Sequence, residues 1–152
     1  MKIVADRVIN DAERVFGAFG DVFLFDGRRI APSDLRDADI LLVRSVTRVD
    51  AALLAGSAVR FVGTATAGID HIDTHYLTGA GIAFAAAPGC NARAVGEYVL
   101  ACVLAWAHTS GRPLEGLRCG LVGVGHAGGA ARALLEAVGV ACLLHDPPRA
   151  RR

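Results

Sequence analysis

The sequence predicts an α/β protein: a doubly wound parallel sheet, followed by one β-α-β unit built around a glycine turn. Three observations carry this. Short apolar segments alternate with helix-spaced segments from residue 1 to about 87, joined by short connections. Ile40-Leu41-Leu42-Val43 is apolar without a break, as strands buried on both faces are. Gly120-Leu121-Val122-Gly123-Val124-Gly125-His126-Ala127-Gly128 leads from an apolar run through spaced glycines into a helical pattern, and Asp146 follows the next apolar run.

Taken in order, Ile3-Val4-Ala5 reads as a buried strand. Residues 10 to 19 carry Ala12, Val15, Phe16 and Phe19 at helical spacing, with Gly20 placed to end that helix. Val22 to Phe25 is the second strand, and Asp26-Gly27 turns the chain. Ser33 to Ala38 is expected to be a short helix, and residues 40 to 43 the third strand. Asp50 can cap a brief helix through Leu54, with Gly56 after its end. Arg60 to Gly63 is the fourth strand, Asp70 or Asp73 caps a helix through Leu77, and Ile82 to Phe84 is the fifth strand. Asn91 is expected to cap a long helix reaching about His108, apolar nearly all round and therefore suited to burial between layers or domains. Gly111-Arg112-Pro113 breaks the chain, which sets a domain boundary there. Residues 118 to 124, 127 to 138 and 140 to 144 then give the β-α-β unit.

Composition narrows the function. Hydrophobic residues make up 53% and charged residues 20% of 152, a globular balance with room for one good core. A net charge of +1 offers no electrostatic case for nucleic acid or an anionic membrane. The longest apolar run, Tyr98 to Ala107, falls short of the ~20 residues that span a bilayer. An acid at Asp6 comes too early for a signal peptide, so a cytoplasmic protein is expected. Cys90, Cys102, Cys119 and Cys142 form no C-x-x-C pair; they read as small buried hydrophobes in a reducing compartment, with Cys90 the most exposed and no metal site.

The glycine turn has the form of a dinucleotide site. Gly123 would permit the tight strand-to-helix turn, Gly125 would let the backbone approach a pyrophosphate, and Gly128 would let the helix pack on its strand. The helix N-terminus would face the phosphates. Asp146 lies at the position of an acid that binds a ribose 2′-hydroxyl, which favours NAD over NADP; Arg149, Arg151 and Arg152 could soften that preference. With 18 glycines in the chain, a packing-only turn is the competing reading. His126 reads as a solvent-facing residue at the helix start.

Two polar loops follow the third and fourth strands: Arg44-Ser45-Val46-Thr47-Arg48 and Thr64-Ala65-Thr66-Ala67-Gly68. Ligands of open α/β sheets sit beyond the carboxyl ends of the strands. These hydroxyls, amides and guanidinium groups suit a small hydroxylated anion; closing turns and facing water is the bland alternative. Gly68-Ile69-Asp70-His71-Ile72-Asp73 reads as a turn with helix-capping aspartates, and His71 as a local hydrogen-bonding residue rather than a general acid.

The segments Leu42 to Thr47, Phe61 to Gly68, Ala87 to Ala92 and Asp146-Pro147-Pro148-Arg149 resemble the D-isomer-specific 2-hydroxyacid dehydrogenases, and the likeness runs from Met1 to Arg149. The resemblance implies NAD-dependent oxidation of a small phosphorylated hydroxy acid, 4-phospho-D-erythronate, to its 2-oxo acid on the way to pyridoxal phosphate. It implies substrate contacts at Ser45 and Thr66, an NAD contact at Asp146, and a homodimer for the complete family member. It further implies a flavodoxin-like substrate lobe over residues 1–92, a crossing helix and hinge over 93–110, and part of a Rossmann nucleotide-binding lobe over 111–152. The family's catalytic arginine, glutamate and histidine match no residue here, so no catalytic residue is assigned and no turnover is expected of this chain alone. A non-catalytic module binding a nucleotide or a sugar-acid phosphate is the second expectation, and a methyltransferase-like nucleotide fold the third. Gly96 in the long helix and Gly129 after the turn stand where glycine costs about 1 kcal/mol relative to alanine. Open strand edges in the last unit lead to an expectation of self-association.

Overall fold

A computed structural model describes residues 1–147. Their contacts divide the chain into two compact units, Met1–Pro88 and the part from Gly89 onward. Helix 92–110 thus falls with the second unit, where the sequence reading set residues 93–110 apart as a hinge.

The first unit is a five-stranded parallel sheet. Its strands are β1 (Lys2–Asp6), β2 (Asp21–Phe25), β3 (Ile40–Val43), β4 (Phe61–Thr64) and β5 (Ala83–Ala85), in the order β2-β1-β3-β4-β5. This is the flavodoxin-like order of a doubly wound sheet. Side-chain alternation sorts the apolar runs between two faces. Val4, Leu41, Val43 and Val62 join Leu35, Leu53, Leu54 and Leu77 in the larger core. Ile3, Ala5 and Leu42 join Ala12 in the smaller one, with Phe16 and Phe61 packed against it. Leu41 and Leu77 are almost wholly buried, and burial of such a side chain is worth about 1.5–3 kcal/mol.

The helices of this unit are short. Helix α1 spans only Ala12–Phe16, not residues 10–19. It starts from Asp11 in a left-handed conformation (φ 55°) and ends where Gly17 N–H donates to the Glu13 carbonyl, three residues before the expected stop at Gly20. The helix expected over 33–38 is a 3-10 turn at Pro32–Leu35, held by Asp34, whose carboxylate accepts the Ala31 N–H at 2.8 Å. Helix α2 (Ala51–Leu54) is capped by Asp50, as read from the sequence. Helix α3 (Thr74–Gly79) is capped by Asp73, which accepts the Tyr76 N–H.

The second unit holds helix α4 (Ala92–Ser110), β6 (Arg118–Val122), α5 (His126–Ala137) and β7 (Ala141–His145), with β6 and β7 paired in parallel. Strand β6 ends at Val122, two residues short of the expected limit, because Gly123 turns away at φ 85°. Two sequence expectations are corrected here. Helix α4 buries only Gly96 and Ala107, and Tyr98 and Trp106 are 71% and 48% exposed. An apolar sequence all round does not supply a covering layer by itself. The cysteines are not buried: Cys90 and Cys102 are exposed, and Cys119 and Cys142 are half-buried. Gly96, by contrast, has a structural reason. A Cβ there would come within 3.2 Å of Ala130 and Ala131 of α5, so glycine permits the close crossing of the two helices. Nothing in the structure explains Gly129, whose missing Cβ would meet open space.

Candidate functional site

In the first unit the parallel register places the two polar loops side by side. Val43 pairs with Thr64, so Ser45 and Thr66 stand at matching positions just beyond β3 and β4. Ala65 N–H donates to the Val43 carbonyl at 2.9 Å, and this ties the loops at their roots. Farther out they are stitched by an isolated bridge: Val49 N–H donates to the His71 carbonyl and Asp73 N–H to the Val49 carbonyl, both at 2.8 Å.

The Ser45 loop is anchored by a residue the sequence reading did not single out. Asp6, fully buried at the end of β1, accepts from Arg44 Nε at 3.0 Å and from Val8 N–H at 2.9 Å. Thr47 Oγ1 donates to the Gly27 carbonyl at 2.7 Å from within the same buried region. Ser45 itself is exposed between these anchors. Arg48 donates from Nε to Asp50 at 2.9 Å, and this bond holds the Asp50 carboxyl below its ordinary range. The signal for Asp6 was an acid at the carboxyl end of an apolar strand.

The Thr66 loop contains a chain of polar contacts. Thr66 Oγ1 donates to the Gly68 carbonyl at 3.0 Å and lies 2.8 Å from Thr64 Oγ1, which is 3.0 Å from His71 Nε2. Burial pulls the His71 imidazole below its ordinary value of 6.5, with Asp70 opposing. His71 is thus a local hydrogen-bonding residue. A polar cavity of about 170 Å³ beside it is lined by Arg48, Asp70, His71 and Asp73.

In the second unit, Gly123 and Gly125 lie in the turn between β6 and α5, and Gly128 lies in the first turn of α5. Gly123 adopts φ 85°, and a Cβ on Gly128 would lie 2.0 Å from the Gly123 carbonyl oxygen. Gly125 precedes α5, no side chain caps that helix, and a Cβ on Gly125 would meet nothing within 4 Å. The turn is tied to β7: Gly123 N–H donates to the His145 carbonyl at 2.8 Å, and Val124 N–H donates to Asp146 Oδ2 at 2.6 Å. His126 is exposed at the start of α5, as expected. Arg149, Arg151 and Arg152 lie outside the described residues.

The first unit is thus a parallel sheet with polar loops at its carboxyl edge, and the second carries a glycine turn between paired parallel strands. The chain belongs to the D-isomer specific 2-hydroxyacid dehydrogenase family, whose catalytic domain its residues 3–143 match. It is similar to the erythronate-4-phosphate dehydrogenase of Klebsiella pneumoniae, 53% identical over 152 residues, which cover 100% of this chain and 40% of that protein. The corresponding Shewanella enzyme is 50% identical over 151 residues, covering 99% of this chain and 40% of its own length. The chain therefore spans about 40% of the length of these curated relatives. Its fold is shared with the NAD+-bound 3-phosphoglycerate dehydrogenase of Entamoeba histolytica, at a TM-score of 0.74 and 24% identity over 97% of this chain and 54% of that one. It is also shared with the D-lactate dehydrogenase of Aquifex aeolicus, at 0.77 and 18% over 97% of this chain and 51% of that one. Among the described residues no helix is long and apolar enough to cross a membrane.

Proposed function

We propose that this chain is the substrate-loop and cofactor-entry portion of an enzyme of the erythronate-4-phosphate dehydrogenase kind. In this reading the glycine turn takes NAD, and the Ser45 and Thr66 loops take 4-phospho-D-erythronate, a precursor on the way to pyridoxal phosphate. Family membership supports the class of reaction; the site residues are this proposal's own assignment. The observation that carries it is the turn from Gly123 to Gly128, closed by Asp146.

The residues fit a dinucleotide. The space at Gly125 is open where a diphosphate must approach the backbone, and the uncapped N-terminus of α5 offers amide donors and the positive end of its dipole. Val124 N–H is already committed to Asp146, so the amides assigned to phosphate are those from Gly125 onward. Asp146, held beside the turn, is assigned to the ribose hydroxyls, and its charge opposes a 2′-phosphate. When bound, NAD supplies the acceptor for a hydride leaving the hydroxyl-bearing carbon. Arg44 and Arg48, each held through Nε by a carboxylate, bring cationic groups to the loops assigned to the anionic substrate. A cytoplasmic setting belongs to the same proposal; the four cysteines are free thiols.

The proposal gives binding, not turnover, to the residues described. Calorimetry with NAD, NADP and 4-phospho-D-erythronate tests it. Heat with NAD and the phosphorylated acid, and weaker binding of NADP, is the expected result. Absence of binding by NAD at millimolar concentration overturns the cofactor assignment, and absence of binding by the acid overturns the substrate assignment.

A further inference from the structure

We propose that His71 and Thr64 fix the polarity of the Thr66 hydroxyl, so that Thr66 offers a lone pair to the substrate and reads a hydroxyl on it, not a carboxylate or phosphate. This rests on the assignment of Thr66 to the substrate loop made above.

The polarity follows from counting protons. A carbonyl oxygen only accepts, so the contact of 3.0 Å between Thr66 Oγ1 and the Gly68 carbonyl uses the single Thr66 hydroxyl proton. The contact of 2.8 Å between the two hydroxyls must then be made with the Thr64 proton, donated to Thr66. With that proton used, Thr64 Oγ1 can only accept across the 3.0 Å to His71, so the imidazole hydrogen sits on Nε2. Three contacts and three protons run one way: His71 to Thr64 to Thr66 to Gly68. The reverse order, Thr66 to Thr64 to His71, leaves the Gly68 contact without a proton and makes only two bonds. Thr64 is 6% exposed, so water does not compensate for a bond it fails to make. Burial that disfavours the charged imidazole keeps His71 neutral near pH 7, where the choice of nitrogen has meaning.

Thr66 Oγ1 has two lone pairs, and Thr64 occupies one. The other can take a proton from an alcohol. An anionic oxygen has none to give, and it could be bound by Thr66 only at the cost of the Gly68 bond. Carboxylate and phosphate are therefore left to the backbone amides and to Arg44 and Arg48 of the Ser45 loop, and Thr66 tells a hydroxylated acid from a deoxy one. His71 and Thr64 are positioning residues in this scheme.

Two readouts on the full chain test it separately. Histidine-selective ¹⁵N spectroscopy near pH 7.5 reports the His71 tautomer. The expected result is a hydrogen on Nε2 that is protected from exchange, exposed by Thr64→Val and protected again in Thr64→Ser. A hydrogen on Nδ1, or an Nε2 hydrogen exchanging equally fast in all three proteins, overturns the chain of bonds. Titration with 4-phospho-D-erythronate and its 2-deoxy and 3-deoxy counterparts reports the substrate part. At least tenfold weaker binding of one deoxy ligand, with the gap narrowed by Thr64→Val, is expected. Equal binding of all three overturns the hydroxyl reading. Binding of none sinks the substrate assignment, while the tautomer result still decides the polarity.

Discussion

Asp146 and Val124 lie 22 residues apart in sequence and are joined by a hydrogen bond of 2.6 Å from the Val124 N–H to the Asp146 carboxylate. The acid expected to hold a ribose is thus also a brace for the glycine turn. A hydrogen bond to a charged acceptor is worth about 1.5–3 kcal/mol. Asp146→Ala should therefore destabilise the second unit by about 2 kcal/mol. Asp146→Asn keeps an acceptor and should recover part of that stability while still weakening NAD. Urea melts and NAD titrations of the two variants check this; equal stability of both with the parent removes the brace.

Two glycines of the same region should respond in opposite directions. At Gly128 a Cβ would meet the Gly123 oxygen at 2.0 Å, so Gly128→Ala must displace backbone, at a cost of about 1–3 kcal/mol. At Gly129 the space is open within α5, and Gly129→Ala should stabilise by about 0.4–1 kcal/mol. Thermal melts of both variants decide the matter, and a stabilising Gly128→Ala contradicts the geometry.

The pair formed by Asp6 and Arg44 sets the Ser45 loop. Removing the guanidinium leaves a fully buried carboxylate with one hydrogen bond from Val8. Arg44→Met should cost about 3 kcal/mol. Arg48→Met, at an arginine whose side chain is 83% exposed, should cost no more than about 1 kcal/mol. Chemical denaturation of the two variants gives the comparison.

His71 gives the stability a pH dependence. Its folded pKa lies below the ordinary 6.5, so the unfolded chain takes up the proton first as pH falls. This group's contribution is complete above about pH 6.5 and declines as pH falls from there toward the folded pKa. His71→Asn should flatten that decline. Melts between pH 5 and 8 test the sign, and a parent protein that gains stability from His71 on acidification contradicts it.

The two-stranded sheet β6-β7 leaves Val122, Leu143 and Leu144 exposed at 84%, 52% and 43%. Open strand edges beside apolar side chains favour pairing with another chain. Sedimentation should show concentration-dependent association that Val122→Lys with Leu144→Lys weakens. A monomer at high concentration in the parent protein counts against this.

Much of this was legible in the sequence, for reasons that can be traced. The strands at Ile40–Val43 and Phe61–Thr64 are short apolar runs, and the two-residue alternation within them assigns Leu41 and Leu42 to opposite faces. The glycine turn was legible because Gly123 and Gly128 answer local steric needs that act within a few residues. Helix limits were less so: Asp11 in a left-handed conformation cut α1 short, and no spacing rule signals that. What sequence did not show was long-range polar partnership. Asp6 finds Arg44 across 38 positions, and Thr64 finds His71 across a loop, through strand register that residue types alone do not carry. Gly96 reads from sequence alone as a weak point in a helix, and its reason is the close packing of α5 against it.

The most direct test of the central claim is an amide NMR titration of the ¹⁵N-labelled chain with NAD. The account predicts saturable shifts confined to Gly123 through Gly128 and to Asp146 with its neighbours, reduced in Asp146→Ala. A titration that leaves those amides unmoved at millimolar NAD contradicts it.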